Sequence, residues 1–176
     1  MKLVCFNTSP QAGGGEKRYK IGALVGDEVA DLTPSVLPLG LSASEILRIY
    51  DLDLDFVTPA LDAVLAGELP MHNIDDVVLE APIPRPGKII CVGLNYRNHA
   101  IESGMEIPKS PIIFSKFVTS VTAPEAPIVI PKGSSQTDYE AELAVVIGRR
   151  AKNVSADEAM NYVFGYTNFN DVSARD

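Results

Sequence analysis

Two stretches decide the reading of this chain: DYEAELAVVIG at Asp138–Gly148 and NDVSARD at Asn170–Asp176. Leu143, Ala144, Val145, Val146 and Ile147 form the short apolar run that a buried strand carries, and the pattern predicts a strand over Tyr139–Ile147. Glu140 and Glu142 stand two apart near its start. Alternate side chains leave a strand on one face, so both carboxylates point the same way, roughly 7 Å apart. Like charges on an apolar face repel and resist desolvation. A divalent cation is the simplest compensation. Asp171, at the end of a later strand-like run, is available as a third oxygen donor. Hard oxygen ligands select Mg2+, Mn2+ or Ca2+, and without Cys or a second His beside them zinc is a poorer match. Three carboxylates leave coordination positions open, which suits Lewis-acid chemistry. The competing interpretation puts both glutamates on a solvent face, paired with lysines. The apolar continuation of that face at Ala144 and Val146 speaks against it. Asp138 shares the parity of Glu140 but sits at strand entry, where Asp is ordinary turn chemistry.

Other candidates lie further out. His99 and Glu102 are three apart in a helix-like segment and share a face there. A carboxylate beside an imidazole fixes its tautomer and raises its basicity, as a general base requires. The same spacing also describes an ordinary surface ion pair. Arg175, four residues past Asp171, is near enough to receive an anionic substrate group by a bidentate contact. A salt bridge to Asp176 fits the spacing equally well. Lys116, ending the strand-like IIFSK, is a similar but weaker candidate, and Tyr96 with Asn95 reads either as polar pocket lining or as a turn.

The rest of the chain frames this region. With 176 residues, 46% of them hydrophobic, it can bury a core. A net charge of −8 leaves no basic stripe to meet phosphates, so no nucleic-acid partner is expected. No run of apolar residues is long enough to span a bilayer, so no membrane partner is expected and a cytoplasmic location is the default. Cys5 and Cys91 each sit in an apolar run without metal-ligand spacing and read as buried thiols of a reducing compartment.

Residues 1–80 read as a small α+β domain. Strands are expected at Lys2–Phe6, Tyr19–Val25 and Glu28–Leu32, the last two joined by the hairpin signal Gly26-Asp27. QAGGGEK, residues 11–17, reads as a turn or mobile loop. Ser42 with Glu45 is a capping box opening a helix to Tyr50. Thr58-Pro59 opens another helix that stops at Gly67. His72 reads as a solvated loop residue. Residues 81–87 are a Pro-rich linker, and residues 88–176 form a strand-rich region. Strands are expected at Lys88–Val92, Ile112–Ser115, Ile128–Ile130 and Gly165–Val172, with a helix from Ser155 to about Val163. Strand following strand argues against a doubly wound sheet and for a rolled or barrel-like β-architecture.

KIICVGLNYRNHAIESG, SPIIFSKF and DYEAELAVVIG through NDVSARD, in that order, resemble the fumarylacetoacetate hydrolase family. The resemblance covers Ile83–Asp176. It implies an α+β chain in which a β-rich mixed roll, the family's catalytic domain, follows a small α+β N-terminal domain. It implies Mg2+ or a similar cation on Glu140, Glu142 and Asp171, a base dyad of His99 and Glu102 on a lid, and Arg175 holding substrate. It also implies a homodimer. Family members run well beyond the residue matching Asp176, so an incomplete catalytic domain is expected here. The activity implied is metal-dependent hydrolysis of a C–C bond in a small acylpyruvate-type 2-oxo acid. Alternatives are a 2-oxo acid decarboxylase or hydroxymuconate-type isomerase on the same site, or a truncated remnant without catalysis.

Overall fold

The structure, a computed structural model, describes residues 2–8, 19–36 and 57–176. The expected turn at 11–17 and helix at 42–50 lie outside the described residues.

A five-stranded antiparallel sheet occupies the first part, built from β1 (Lys2–Asn7), β2 (Lys20–Val25), β3 (Glu28–Asp31), β4 (Met71–Asn73) and β5 (Val78–Glu80) in the order β4-β3-β2-β1-β5. Gly26 takes φ +61 between β2 and β3, a left-handed turn position that glycine occupies without strain. The expected hairpin is therefore present. Helix α1 (Thr33–Val36) follows β3, and α2 (Val57–Leu65) carries Pro59 in its first turn. Gly67, at φ +69, terminates α2. Phe6, Ile21, Ala23, Val29 and Leu32 form a core, each at most 3% exposed. Gly22 is needed within it, because a Cβ there would lie 2.5 Å from Val29 Cγ1 and 3.0 Å from Phe6 Cε1.

Two buried carboxylates, Asp31 and Glu80, lie in this sheet. Asp31 accepts hydrogen bonds from Thr33 N and Lys20 Nζ, both at 2.9 Å. Burial pushes its carboxyl up, but the bonds from Thr33 and Lys20 outweigh burial and hold it below the usual value. His72 corrects its sequence reading. It belongs to β4, pairs with Val29, packs its ring 5.7 Å from Phe6, and brings Nε2 to 3.8 Å from Asp31. The short segment MHN carries too little periodicity for that placement to be legible.

Antiparallel two-stranded ribbons make up the second part. β6 (Ile89–Gly93) pairs with β7 (Ile112–Lys116), β8 (Thr137–Asp138) with β11 (Ser173–Ala174), and β9 (Ala141–Ile147) with β10 (Val163–Asn170). Helix α3 (Arg97–Glu102) lies between β6 and β7 and is followed by Gly104 at φ +64. Three expectations change here. The strand foreseen over Tyr139–Ile147 begins only at Ala141, and a separate short strand, β8, precedes it and pairs with β11. Ile128–Ile130 is not a strand, since this short apolar segment has no ladder partner. Ser155 Oγ does donate to Glu158 Oε2 at 2.8 Å, yet only a 3-10 turn at Ala159–Tyr162 follows. One cap nucleates a turn but does not extend it without a packed apolar face.

Gly22→Ala should destabilise the protein by about 1–3 kcal/mol in urea unfolding, because Val29 and Phe6 would have to give way. Asp31→Asn should lose about 2 kcal/mol at pH 7. Because the folded-state value of Asp31 lies below its unfolded value, its contribution is present above the unfolded value and is lost as pH falls through the folded one. The gap between parent and variant should therefore close in acid unfolding measurements below about pH 4.

Candidate active site

The face bearing the acidic residues is set by the ladder of β9 and β10. Ala141 pairs with Asn170 and Glu142 with Phe169, while Asp171 N donates to Glu140 O at 3.0 Å. This register puts Asp171 opposite Glu140, with Glu142 one step along on the same face. Burial alternates accordingly. Glu140, Glu142, Ala144 and Val146 are half-buried, and Ala141, Leu143, Val145 and Ile147 are exposed. Asp171 is only 2% exposed.

Cationic side chains hold two of these acids. Lys116 Nζ, from the end of β7, bonds Asp171 Oδ1 and donates to Val172 O at 3.2 Å. Arg175 Nη2 bonds Glu140 Oε1, and Nη2 and Nε donate to Asp138 Oδ2 at 3.0 and 3.3 Å. Hydrogen bonding to Glu140 and then to Asp138 holds the Arg175 guanidinium above its already high ordinary pKa. The alternative salt bridge from Arg175 to Asp176 is not formed. Asp176 instead accepts from Ser134 Oγ and Ser135 N, both at 2.8 Å. Those bonds, that of Ser135 N first, hold its carboxyl below the usual range.

Cys91, on the middle strand position of β6, belongs to the same neighbourhood. Burial pushes its thiol pKa up, Glu142 and Glu140 add to the rise, and Lys116 opposes it. Sequence reasoning passed over this proximity, which no local spacing records. Cys5 is buried as expected but Cys91 only half-buried, and neither forms a disulfide among the described residues.

Among the described residues, no three His, Cys, Asp or Glu side chains converge closely enough to hold a metal as they stand. The donor set nevertheless fits a hard divalent cation. All three carboxylates share one face, and two already bind a positive group. An ammonium and a guanidinium occupy oxygens that a cation would use. Glu140, Glu142 and Asp171 are thus the residues that would hold it.

The remaining candidates stand apart. Tyr96 is the N-cap of α3 and is exposed, and His99 and Glu102 lie on the exposed part of that helix. No hydrogen bond joins His99 to Glu102 among the described residues. Both are available to a ligand approaching α3.

Residues 88–176 match the family described as fumarylacetoacetate hydrolase, C-terminal. The match takes in just over half of the chain, and the protein belongs to the fumarylacetoacetate hydrolase family. Among its relatives, a fumarylacetoacetate hydrolase domain-containing protein 2 homolog of Dictyostelium discoideum is 42% identical over 92% of this chain and 52% of its own length. The mitochondrial oxaloacetate tautomerase fahd2 of Xenopus laevis is 39% identical over 100% of this chain and 53% of its own. The chain spans about half the length of the curated relatives it matches. Maleylpyruvate hydrolase of Sphingobium, solved with manganese(II) and pyruvate, superposes at a TM-score of 0.73 with 27% identity, over 99% of this chain and 60% of that one. Fumarylacetoacetate hydrolase of Exiguobacterium antarcticum gives 0.69 with 32% identity, over 100% and 57%. The α+β, strand-rich architecture is that of part of the family's catalytic fold.

Replacing Lys116 by Met should leave the Asp171 carboxylate buried without its cation. Urea unfolding should then show a loss of about 3 kcal/mol. Adding Asp171→Asn should recover part of that loss, and the double-mutant cycle should return a coupling energy well above about 0.5 kcal/mol.

Proposed function

We propose that this chain supplies the cation-binding and base-bearing part of an enzyme that interconverts keto and enol forms of a small, oxaloacetate-type 2-oxo acid. The observation that carries the reading is the shared face of Glu140, Glu142 and Asp171, with Asp171 buried. Relatives named oxaloacetate tautomerase, at 39–48% identity, support the tautomerase outcome. A bound Mg2+ or Mn2+ would supply Lewis-acid polarisation of the acid's carboxylate and keto oxygens. The manganese and pyruvate found with the Sphingobium hydrolase support a divalent ion and a small keto acid.

The protein's own residues do the rest. His99, which Glu102 would orient once the two side chains are brought into contact, removes a proton from the carbon beside the ketone, and protonation of the oxygen completes the tautomer without change in composition. Arg175 exchanges its contact with Glu140 for a substrate carboxylate, which its planar fork fits. Lys116 and Tyr96 face the same substrate, as a charge and a polar lining respectively. C–C hydrolysis of an acylpyruvate-type acid is the second reading, favoured by the likeness to maleylpyruvate hydrolase. It differs in that His99 would deprotonate a water rather than the substrate carbon.

We further propose a domain boundary at residues 81–87, after which the family match begins at 88, and a homodimeric assembly. Among the described residues, no helix is long and apolar enough to cross a membrane. A reducing compartment suits Cys5 and Cys91, either the cytoplasm expected from sequence or the mitochondrion named for the frog and cattle relatives.

Two variants test the roles. In calorimetry, Glu140→Gln should lower Mn2+ affinity by at least about tenfold. His99→Ala should keep that affinity and lose about 100-fold or more in the rate of enol-to-ketone conversion followed by ultraviolet absorbance. Absence of acceleration by the parent protein on every member of a 2-oxo acid panel would overturn the reading.

A further inference from the structure

An open cavity of about 470 Å3 lies where β6 gives way to α3, closed on its far side by the loop Ile107–Pro111. Among the described residues, its charged lining residues are Arg97, from the first turn of α3, and Lys109, from the loop. Neither forms an ion pair or hydrogen bond among the described residues. This is unusual in a chain with 23 acidic and 15 basic residues, where the acids outnumber the cations available to them. Glu102 and Glu106 lie close in sequence but do not line the cavity. Asn95 and Ser110 add neutral polar groups, and Pro108 and Pro111 stiffen the backbone on either side of Lys109. A concave surface with two unopposed cations and neutral donors is built for an anion.

Its position gives the anion a chemical identity. β6 runs from Cys91, in the field of Glu142 and Glu140, to Gly93 at the cavity edge. Those two positions are roughly 7 Å apart along a strand. That span is comparable to the distance between the ends of a short dicarboxylate. Arg97 is also two residues before His99 on the same helix. A substrate lying along β6 from the acidic face would present its far end here.

We propose that Arg97 and Lys109 form the specificity subsite for the distal carboxylate of a dicarboxylic 2-oxo acid. The inference rests on the keto-acid reading of the acidic face and adds which residues select a second carboxylate. A guanidinium and an ammonium converging on one carboxylate discriminate against an acid that ends in a methyl group, because the two cations are then left without a counter-charge.

The matched probes are 2-oxoglutarate and 2-oxopentanoate, which have equal chain length and differ in the terminal carboxylate. Binding of each is measured by calorimetry in the presence of Mn2+. The parent protein should prefer 2-oxoglutarate by about tenfold, the scale of one charge-assisted hydrogen bond. The double variant Arg97→Ala with Lys109→Ala should narrow the preference to within about threefold while 2-oxopentanoate affinity stays level. The charge-retaining pair Arg97→Lys with Lys109→Arg should keep most of it, which separates lost charge from lost fold. Two results overturn the subsite: no preference in the parent, or a preference that survives the double alanine variant. If the parent binds neither acid, the keto-acid reading itself falls and takes the subsite with it.

Discussion

A carboxylate shielded from water needs a positive partner, and Asp171 is the place where this protein meets that demand. An isolated buried charge costs several kcal/mol, so Asp171 is tolerable only with Lys116 against it. That single contact joins the end of the β6–β7 ribbon to the end of the β9–β10 ribbon. Lys116 also takes the Val172 carbonyl, so the chain just past Asp171 is fixed as well. From there the ladder does the positioning. Asp171 N donates to Glu140 O, and the register carries Glu142 onto the same face. Arg175 then binds Glu140 and Asp138, tying the β8–β11 pair to the acidic face. The arrangement that could hold a cation is thus the same one that neutralises itself with side-chain cations.

The two parts of the chain are stabilised differently. The five-stranded sheet buries Phe6, Ile21, Val29 and Leu32, and apolar burial is its main support. In the ribbons, large apolar side chains such as Ile90, Ile113, Leu143, Val145 and Ile147 remain exposed. Two strands alone do not cover their own faces. Backbone ladders and the ion pairs of Lys116 and Arg175 hold these ribbons, which makes their geometry sensitive to charge.

Much of the local structure was legible. The Gly26 hairpin, the α2 stop at Gly67, the β6 and β7 strands and the α3 turn follow from glycine conformation and short apolar runs. The alternation from Glu140 to Val146 reads directly as one half-buried face. Failures came where a local signal needed a tertiary partner. The apolar triplet at 128–130 found no ladder, the Ser155 cap did not propagate, and His72 was drawn into the sheet by Phe6 and Asp31. The cavity cations Arg97 and Lys109 escaped notice because no periodicity relates positions separated by a turn, a helix and a proline loop.

The sequence by itself determined that Glu140 and Glu142 share a face, because strand periodicity is a property of neighbouring residues. It also determined the family, through three motifs in a fixed order. Only the tertiary structure decided which cation meets which acid. Lys116 and Asp171 are 55 positions apart, and Arg175 and Glu140 are 35 apart. Charge pairing over such separations depends on how the ribbons are brought together, and no local pattern encodes that distance.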